Sequence, residues 1–345
     1  MTSHNNTAVE ESQENAAKRR AAGEFVRGPS GFRHQIERDG EFPPEPNRYH
    51  LYVALNCPWC HRVTLARSVL GLSDAITLDV AFPNRTEDDD PDGGGLWEFA
   101  PERIASLTGE PFPECTYDTA SGQSLRVAKR LYEAEGSEEK SLPILFDKKT
   151  KKIVSNESAE IVRMLNENAA ALGATIPYSK RPDLYPEDEA IRDQIDALNE
   201  RIYTNINNGA YKAGFSSSQD VYAVAFEKYF GELDRLEELL ASDDRPFLTG
   251  KSFTEADLRL FPTLYRHDPV YYIRMKLNSA RIIDYPHLWR WLCRVYALQG
   301  VAEAGSLIHC RQGYFGRSWN RVVPLGPTKP MPYPEAYEHP ELADT

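Results

Sequence analysis

Residues 56–62, Asn-Cys-Pro-Trp-Cys-His-Arg, constrain the fold of this chain more than any other stretch. They follow an alternating run from Tyr49 to Leu55 with the period of a strand. They open a segment with helical spacing through Val63, Leu65, Ala66, Val69 and Leu70. Cys57 is therefore predicted at a strand-to-helix turn, with Pro58 at the first helical position, where its missing N–H costs nothing. A thiol there faces the helix's unpaired N–H groups and the positive end of its dipole, and both favour thiolate, the nucleophilic form. His61 and Arg62 in the first turn are expected to add positive charge. C-x-x-C in this setting reads as thioredoxin-like redox chemistry or as half of a zinc site. Cys115, Cys293 and Cys310 supply no second close pair and no histidine at zinc-finger spacing, so no metal is expected and they read as buried structural thiols. Cys60 reads equally as a resolving thiol or as a small residue on the helix.

Around that motif the chain has a regular order. A proline-rich lead-in, 31–47, follows a polar segment, 1–28, expected to be poorly ordered. A strand at 49–55, a helix at about 58–72 and a strand at 75–82 make a β-α-β unit suited to a parallel pair. Residues 83–117, with the acidic run Glu87–Asp90 and three successive glycines, read as an inserted loop, either a lid or one wall of a site or simply a solvated insertion. A helix at about 123–135 leads to a strand at 141–146, which turns through 147–150 into a partner at 151–155 as an antiparallel hairpin. A helix opens at Asn156-Glu157-Ser158-Ala159-Glu160. The order β-α-β-α-β-β-α is that of a thioredoxin-like domain.

Beyond a proline-containing linker the pattern turns all-helical, at about 187–208, 218–242, 254–266 and 286–304. Thr254-Glu255-Ala256-Asp257 is a capping-box pattern and is read as structural. The expected organisation is an N-terminal extension (1–48), a thioredoxin-like domain (49–173) carrying the inserted loop 83–117, a linker (174–186), an all-helical domain (187–323) and a Pro/Tyr-rich extended tail (324–345).

The global numbers bound the function. A chain of 345 residues is long enough for two domains, and its net charge of −12 disfavours nucleic acid and anionic membranes as main partners. No apolar run has membrane-spanning length. The first twenty residues carry Glu10, Glu11 and Glu14 and no apolar core, unlike a signal peptide. Five cysteines, an odd count, do not form an extracellular disulfide framework, so a cytoplasmic setting is expected.

Several longer words then carry a resemblance. They are Tyr49-His50-Leu51-Tyr52-Val53 running into Cys57-Pro58-Trp59, then Asp147-Lys148-Lys149, and Ile153-Val154-Ser155-Asn156-Glu157-Ser158-Ala159-Glu160-Ile161. In the helical half they are Asn207-Asn208-Gly209-Ala210-Tyr211-Lys212-Ala213-Gly214-Phe215, Asp268-Pro269-Val270-Tyr271 and Tyr314-Phe315. Together, and in this order, they resemble the xi class of the cytosolic glutathione transferases, the glutathionyl-hydroquinone reductases.

That resemblance implies a thioredoxin-like domain followed by a helical transferase domain, a homodimer, and glutathione as co-substrate. It implies that Cys57 attacks the sulfur of a glutathionyl-hydroquinone and forms a mixed disulfide with glutathione, while Tyr211 and Tyr314 face the quinol as proton or hydrogen-bond donors. It implies a cis Leu142–Pro143 bond, with the Leu142 peptide pairing with glutathione's cysteinyl backbone. Glu157 and Ser158 would meet the γ-glutamyl end, and Trp97 and Lys140 lie near positions where the family contacts glutathione. The chain departs from the family's best-known members at Cys60, where they carry alanine. That substitution supports an alternative, a glutaredoxin-like dithiol oxidoreductase or deglutathionylase using Cys57 and Cys60. A non-catalytic module binding apolar ligands is a third reading, and an activated thiol argues against it.

Overall fold

The structure, a computed structural model, describes residues 13–107, 115–243, 245–318 and 320–326. Four strands form one mixed sheet in the order β2-β1-β3-β4. β1 (Tyr49–Val53) is buried along its whole length and pairs in parallel with β2 (Thr77–Val80). On its other side β1 runs antiparallel to β3 (Ile144–Asp147), which forms the hairpin with β4 (Lys152–Ser155). Helices α2 (Pro58–Val69) and α4 (Ser158–Asn168) pack together. The expected thioredoxin-like order is present.

The helical half consists of α5 (Glu189–Arg201), α6 (Asn208–Gly214), α7 (Gln219–Ala241), α8 (Glu255–Arg266), the single turn α9 (Tyr272–Arg274), α10 (Pro286–Ala297) and α11 (Leu307–Phe315). Two wide, π-type turns interrupt it, Ile202–Asn207 before α6 and His267–Tyr271 after α8. Such turns are rare and gather at functional sites. One continuous apolar core runs through both halves, because α2 also packs on α8. Val63 and Leu65 of α2 are fully buried, and each contributes roughly 1.5–3 kcal/mol by burial.

The capping box at α8 is formed and extended. Asp257 accepts from Thr254 N (3.0 Å), Thr254 Oγ1 (3.2 Å), Leu248 N (2.9 Å) and the indole N–H of Trp291 (2.8 Å).

Three expectations are corrected. The helix expected at 123–135 is only α3, Lys129–Glu133. Asp118 draws the N–H groups of Ala120, Ser121 and Leu125 into a side-chain-capped loop instead. The helix expected at 286–304 ends at Ala297, and Leu307–Phe315 is an additional helix. The polar segment 1–28, expected to be poorly ordered, contains a helix, α1 (Gln13–Ala21). Beyond it, Gly23 O accepts from Ser217 N at 3.1 Å, and His34 N donates to Val154 O at 2.9 Å. Of the expected tail, residues 327–345 lie outside the described residues.

Candidate active site

Cys57 is the N-cap of α2, with extended backbone (φ −84°, ψ 123°) and Pro58 behind it. The residue is 8 % exposed, and its sulfur lies 3.8 Å from the carbonyl oxygen of Leu142. Burial by itself pushes this thiol up. A hydrogen bond from the Cys60 thiol, the N–H groups of Cys60 and Trp59 pointing at the sulfur, and the Arg266 charge outweigh it, and the Cys57 pKa falls to about 6. Cys60 goes the other way. Fully buried and next to the Cys57 charge, its thiol is pushed well above the ordinary range, and its sulfur accepts from Ala54 N at 3.3 Å. The two cysteines are chemically unequal.

The expected source of positive charge is corrected. His61 is buried and held well below its usual pKa, first by burial and then by Arg266, so it is neutral. Its Nδ1 accepts from Arg266 at 2.8 Å. Arg62 is directed at Asn207 (2.5 Å) and the Trp59 ring (4.5 Å), and burial lowers its pKa to about 9. The cation that reaches the Cys57 turn is Arg266, at the end of α8. It donates to Leu55 O (3.0 Å) and Asn56 O (3.4 Å).

The Leu142–Pro143 bond is cis, as the resemblance implies. Glu157 caps α4: one carboxylate oxygen accepts from Ala159 N at 3.1 Å, and the other from Ser30 Oγ at 3.1 Å. Ser158, the first residue of α4, is buried. Trp97 is buried, with the Arg85 guanidinium 3.9 Å from its ring centroid. Lys140 is exposed, and it makes no hydrogen bond or ion pair among the described residues. The inserted loop is pinned by Arg126, which bridges Asp90, Asp92 and Glu98.

Opposite the thiol lies a chain of three phenols. The hydroxyls of Tyr211 and Tyr314 are 2.6 Å apart, and Tyr314 in turn meets Tyr271 at 3.1 Å. Burial, and then the Cys57 charge, push the Tyr211 pKa up; burial pushes Tyr271 and Tyr314 well up. All three therefore remain protonated donors. α11 brings Tyr314 in because residue 313 is glycine: a methyl there would collide with the Asn56 side chain.

Four neighbours escaped the sequence reading: Tyr271, Arg85, Arg27 and Arg266. Tyr271 stood in one of the family words without a role. Arg85, on the inserted loop, is lowered by burial and feels the charge of Cys57. Arg27 lies over Trp59 (4.5 Å) and Tyr211 (5.2 Å), and Phe25 packs on Tyr211 at 5.7 Å. The segment 23–34 thus runs from the α6–α7 junction over Trp59 to Glu157 and the edge of β4, as a third wall of the cleft. Among the described residues, no group of three or more His, Cys, Asp or Glu side chains is gathered that could hold a metal ion, and no helix is long and apolar enough to cross a membrane.

A cysteine-capped thioredoxin helix facing a helical domain is the arrangement of a glutathione transferase. Family profiles for the glutathione S-transferase N-terminal and C-terminal domains match residues 56–168 and 219–294, and the chain belongs to the glutathione S-transferase family. Within it, the chain falls in the xi class, the group of the glutathionyl-hydroquinone reductases. It is 40% identical to glutathionyl-hydroquinone reductase YqjG of Escherichia coli over 88% of each chain. It is 36% identical to PcpF of Sphingobium chlorophenolicum, a protein of the same description, over 90% of this chain and 92% of that one. The crystal structure of the xi glutathione transferase of Phanerochaete chrysosporium superimposes with a TM-score of 0.76 at 36% identity, covering 89% of this chain and 94% of that one. The glutathione-bound structure of the E. coli protein does so at 0.74 and 38% identity, covering 86% and 92%.

Proposed function

We propose that the chain is a glutathionyl-hydroquinone reductase in which Cys57 is the nucleophile. The observation that carries this reading is the juxtaposition of a low-pKa thiol with the hydrogen-bonded Tyr211–Tyr314 pair across one cleft. A plain disulfide reductase needs the first and not the second. The Cys57 thiolate attacks the sulfur of the thioether and a sulfur–sulfur bond forms. The carbon–sulfur bond breaks, with its electron pair left on the ring. A phenol of the Tyr211–Tyr314 pair gives that carbon a proton, and free hydroquinone leaves. A second glutathione attacks the glutathione sulfur of the mixed disulfide, restoring the Cys57 thiolate; its proton restores the phenol. The sum is thioether plus glutathione giving hydroquinone plus glutathione disulfide.

For glutathione, the cis Leu142–Pro143 segment offers backbone groups to the cysteinyl portion. Glu157, Ser158 and the start of α4 offer a carboxylate, a hydroxyl and N–H groups to the γ-glutamyl end. Trp97 and Lys140 line the remaining side in this reading.

Cys60 has a specific observation behind a second role, as a resolving thiol. Part of what holds it protonated is the Cys57 charge, which vanishes once Cys57 is in a disulfide. Cys60 can then attack the Cys57 sulfur, release glutathione and close a Cys57–Cys60 disulfide, which two further glutathiones would reduce. Single-turnover products of wild type and Cys60→Ser separate the routes: an intramolecular disulfide should appear only in wild type.

The domain limits 49–173 and 187–323 belong to the same reading, and both family profiles fall inside them. So do a cytoplasmic setting and a homodimer, which sedimentation of the purified protein would check. The deciding assay offers glutathionyl-menadiol and a glutathionylated peptide side by side. Preferred turnover of the thioether, abolished by Cys57→Ser in a folded protein, is expected. Preference for the peptide would reassign the enzyme to deglutathionylation.

A further inference from the structure

We infer that Arg266 is the buried counter-ion of the Cys57 thiolate, a positioning residue that the helical half supplies to the nucleophile of the other half. The inference rests on Cys57 being that nucleophile.

Arg266 has no exposed surface. Its donors go to neutral acceptors: Leu55 O at 3.0 Å, Asn56 O at 3.4 Å, Pro262 O at 2.7 Å and His61 Nδ1 at 2.8 Å. No carboxylate lies within ion-pair distance of it among the described residues. A buried guanidinium without a counter-charge is strongly unfavourable, so an anion has to come from its surroundings. The ionisable groups that face it are, the strongest first, Cys310, which also shares a side-chain hydrogen bond with it, then Tyr271, Tyr314 and Cys57. Burial raises Cys310 and both phenols. Cys57 alone also receives the N–H groups of Trp59 and Cys60. The other titratable groups facing Cys57 are Cys60 on its own helix, Arg85 on the inserted loop and Tyr211 on α6. Of these only Arg85 is charged, and its side chain is half-buried against Trp97 with one nitrogen on Gly95 O.

The geometry adds a second effect. By gripping the carbonyls of residues 55 and 56, the two immediately before Cys57, Arg266 fixes the turn that aims the sulfur. A planar fork of donors can do this while a single ammonium cannot reach both. His61, held neutral, serves as the acceptor that orients the fork.

The test is the pH dependence of Cys57 alkylation by iodoacetamide in the full-length protein, read by peptide mass mapping. Wild type should show a midpoint near pH 6. Arg266→Met, neutral and of similar length, and Arg266→Gln, which keeps donors for the turn carbonyls, should each raise it by more than about one pH unit, roughly a tenfold loss of thiolate at low pH. Arg266→Lys should fall between. Turnover of the neutral variants should drop in proportion to their thiolate and recover as the pH is raised toward about 9, a recovery that a damaged fold would not give.

Circular dichroism and thermal melting establish which variants are folded; if Arg266→Met is not, Arg266→Gln carries the comparison. An unchanged midpoint in a folded neutral variant overturns the inference, as does Arg266→Lys behaving like Arg266→Met. Failure of the underlying reading looks different: wild type fully alkylated at Cys57 would keep its turnover, whatever the midpoints do.

Discussion

Replacing Tyr314 by Phe tests the phenol chain most directly, because its hydroxyl is the middle link. The substitution deletes two hydrogen bonds, to Tyr211 at 2.6 Å and to Tyr271 at 3.1 Å. It also leaves the fully buried Tyr271 hydroxyl without that partner. At about 0.5–1.5 kcal/mol for each bond and about 1–3 kcal/mol for a stranded buried hydroxyl, the fold should lose roughly 2–6 kcal/mol. The chemical step should lose more than stability alone explains, about 10²–10⁴-fold, if this pair protonates the ring carbon. Tyr211→Phe should cost a similar factor. Tyr271→Phe, one link removed from the cleft, should cost only the polarisation of Tyr314, about 5–15-fold. The double variant Tyr211→Phe with Tyr314→Phe should fall well short of the product of the two single losses, because the hydroxyls act as one unit. The assay is rapid-quench single turnover with glutathionyl-menadiol, following menadiol release, alongside iodoacetamide alkylation of Cys57. Alkylation should stay within about twofold of wild type, since neutral phenols supply little charge to the thiolate. Equal losses for Tyr271→Phe and Tyr314→Phe, or alkylation slowing in step with menadiol release, would refute the proton-donor argument and leave the tyrosines as packing.

Three other outcomes are expected. Cys57 has a folded pKa of about 6, below the ordinary thiol value of about 8.5, so its ionisation stabilises the fold above pH 8.5 and that contribution is lost as pH falls through 6. Urea unfolding should therefore show the stability gap between wild type and Cys57→Ser widening from pH 6 to 8.5; a constant gap would contradict the low pKa. Asp257→Ala removes the acceptor of four buried hydrogen bonds and should cost roughly 3–5 kcal/mol in denaturant melts, with turnover per folded molecule near wild type. Arg27→Ala takes the cation off Trp59 and Tyr211 and should raise KM for the thioether about 2–5-fold at unchanged kcat; a loss in kcat alone would exclude a wall-forming role.

What could be read beforehand follows from how local each signal is. Tyr49–Val53, Pro58–Val69 and the Asp257 cap declare themselves through period, Pro at the first helical position and a four-residue box. The cis bond at Pro143 came through the family resemblance. The helix that presents Tyr314 was illegible because His309, Cys310, Arg311 and Gln312, in succession, are all buried, leaving no apolar period to recognise. The helix expected at 123–135 misled for the opposite reason: Leu125 and Ala128 have the spacing, but the Asp118 carboxylate takes the N–H groups that a helix would have used. His61 looked like a charge next to the thiol, and its burial, then Arg266 from a distant helix, make it neutral. The wall formed by 23–34 is held by main-chain bonds to Ser217 and Val154 at its ends and by side chains of the cleft between them, and has no pattern of its own.

The bond between Arg266 and the carbonyl of Asn56 spans 210 residues of sequence. At a translation rate of about 5–20 residues per second, the codon for Arg266 is read some 10–40 s after Cys57 has been made. During that interval the thiolate lacks the charge that the helical half contributes and has only the Cys60 thiol and the Trp59 and Cys60 N–H groups of its own helix to hold it. The Arg266 contribution is added last, when the helical half folds back onto the turn.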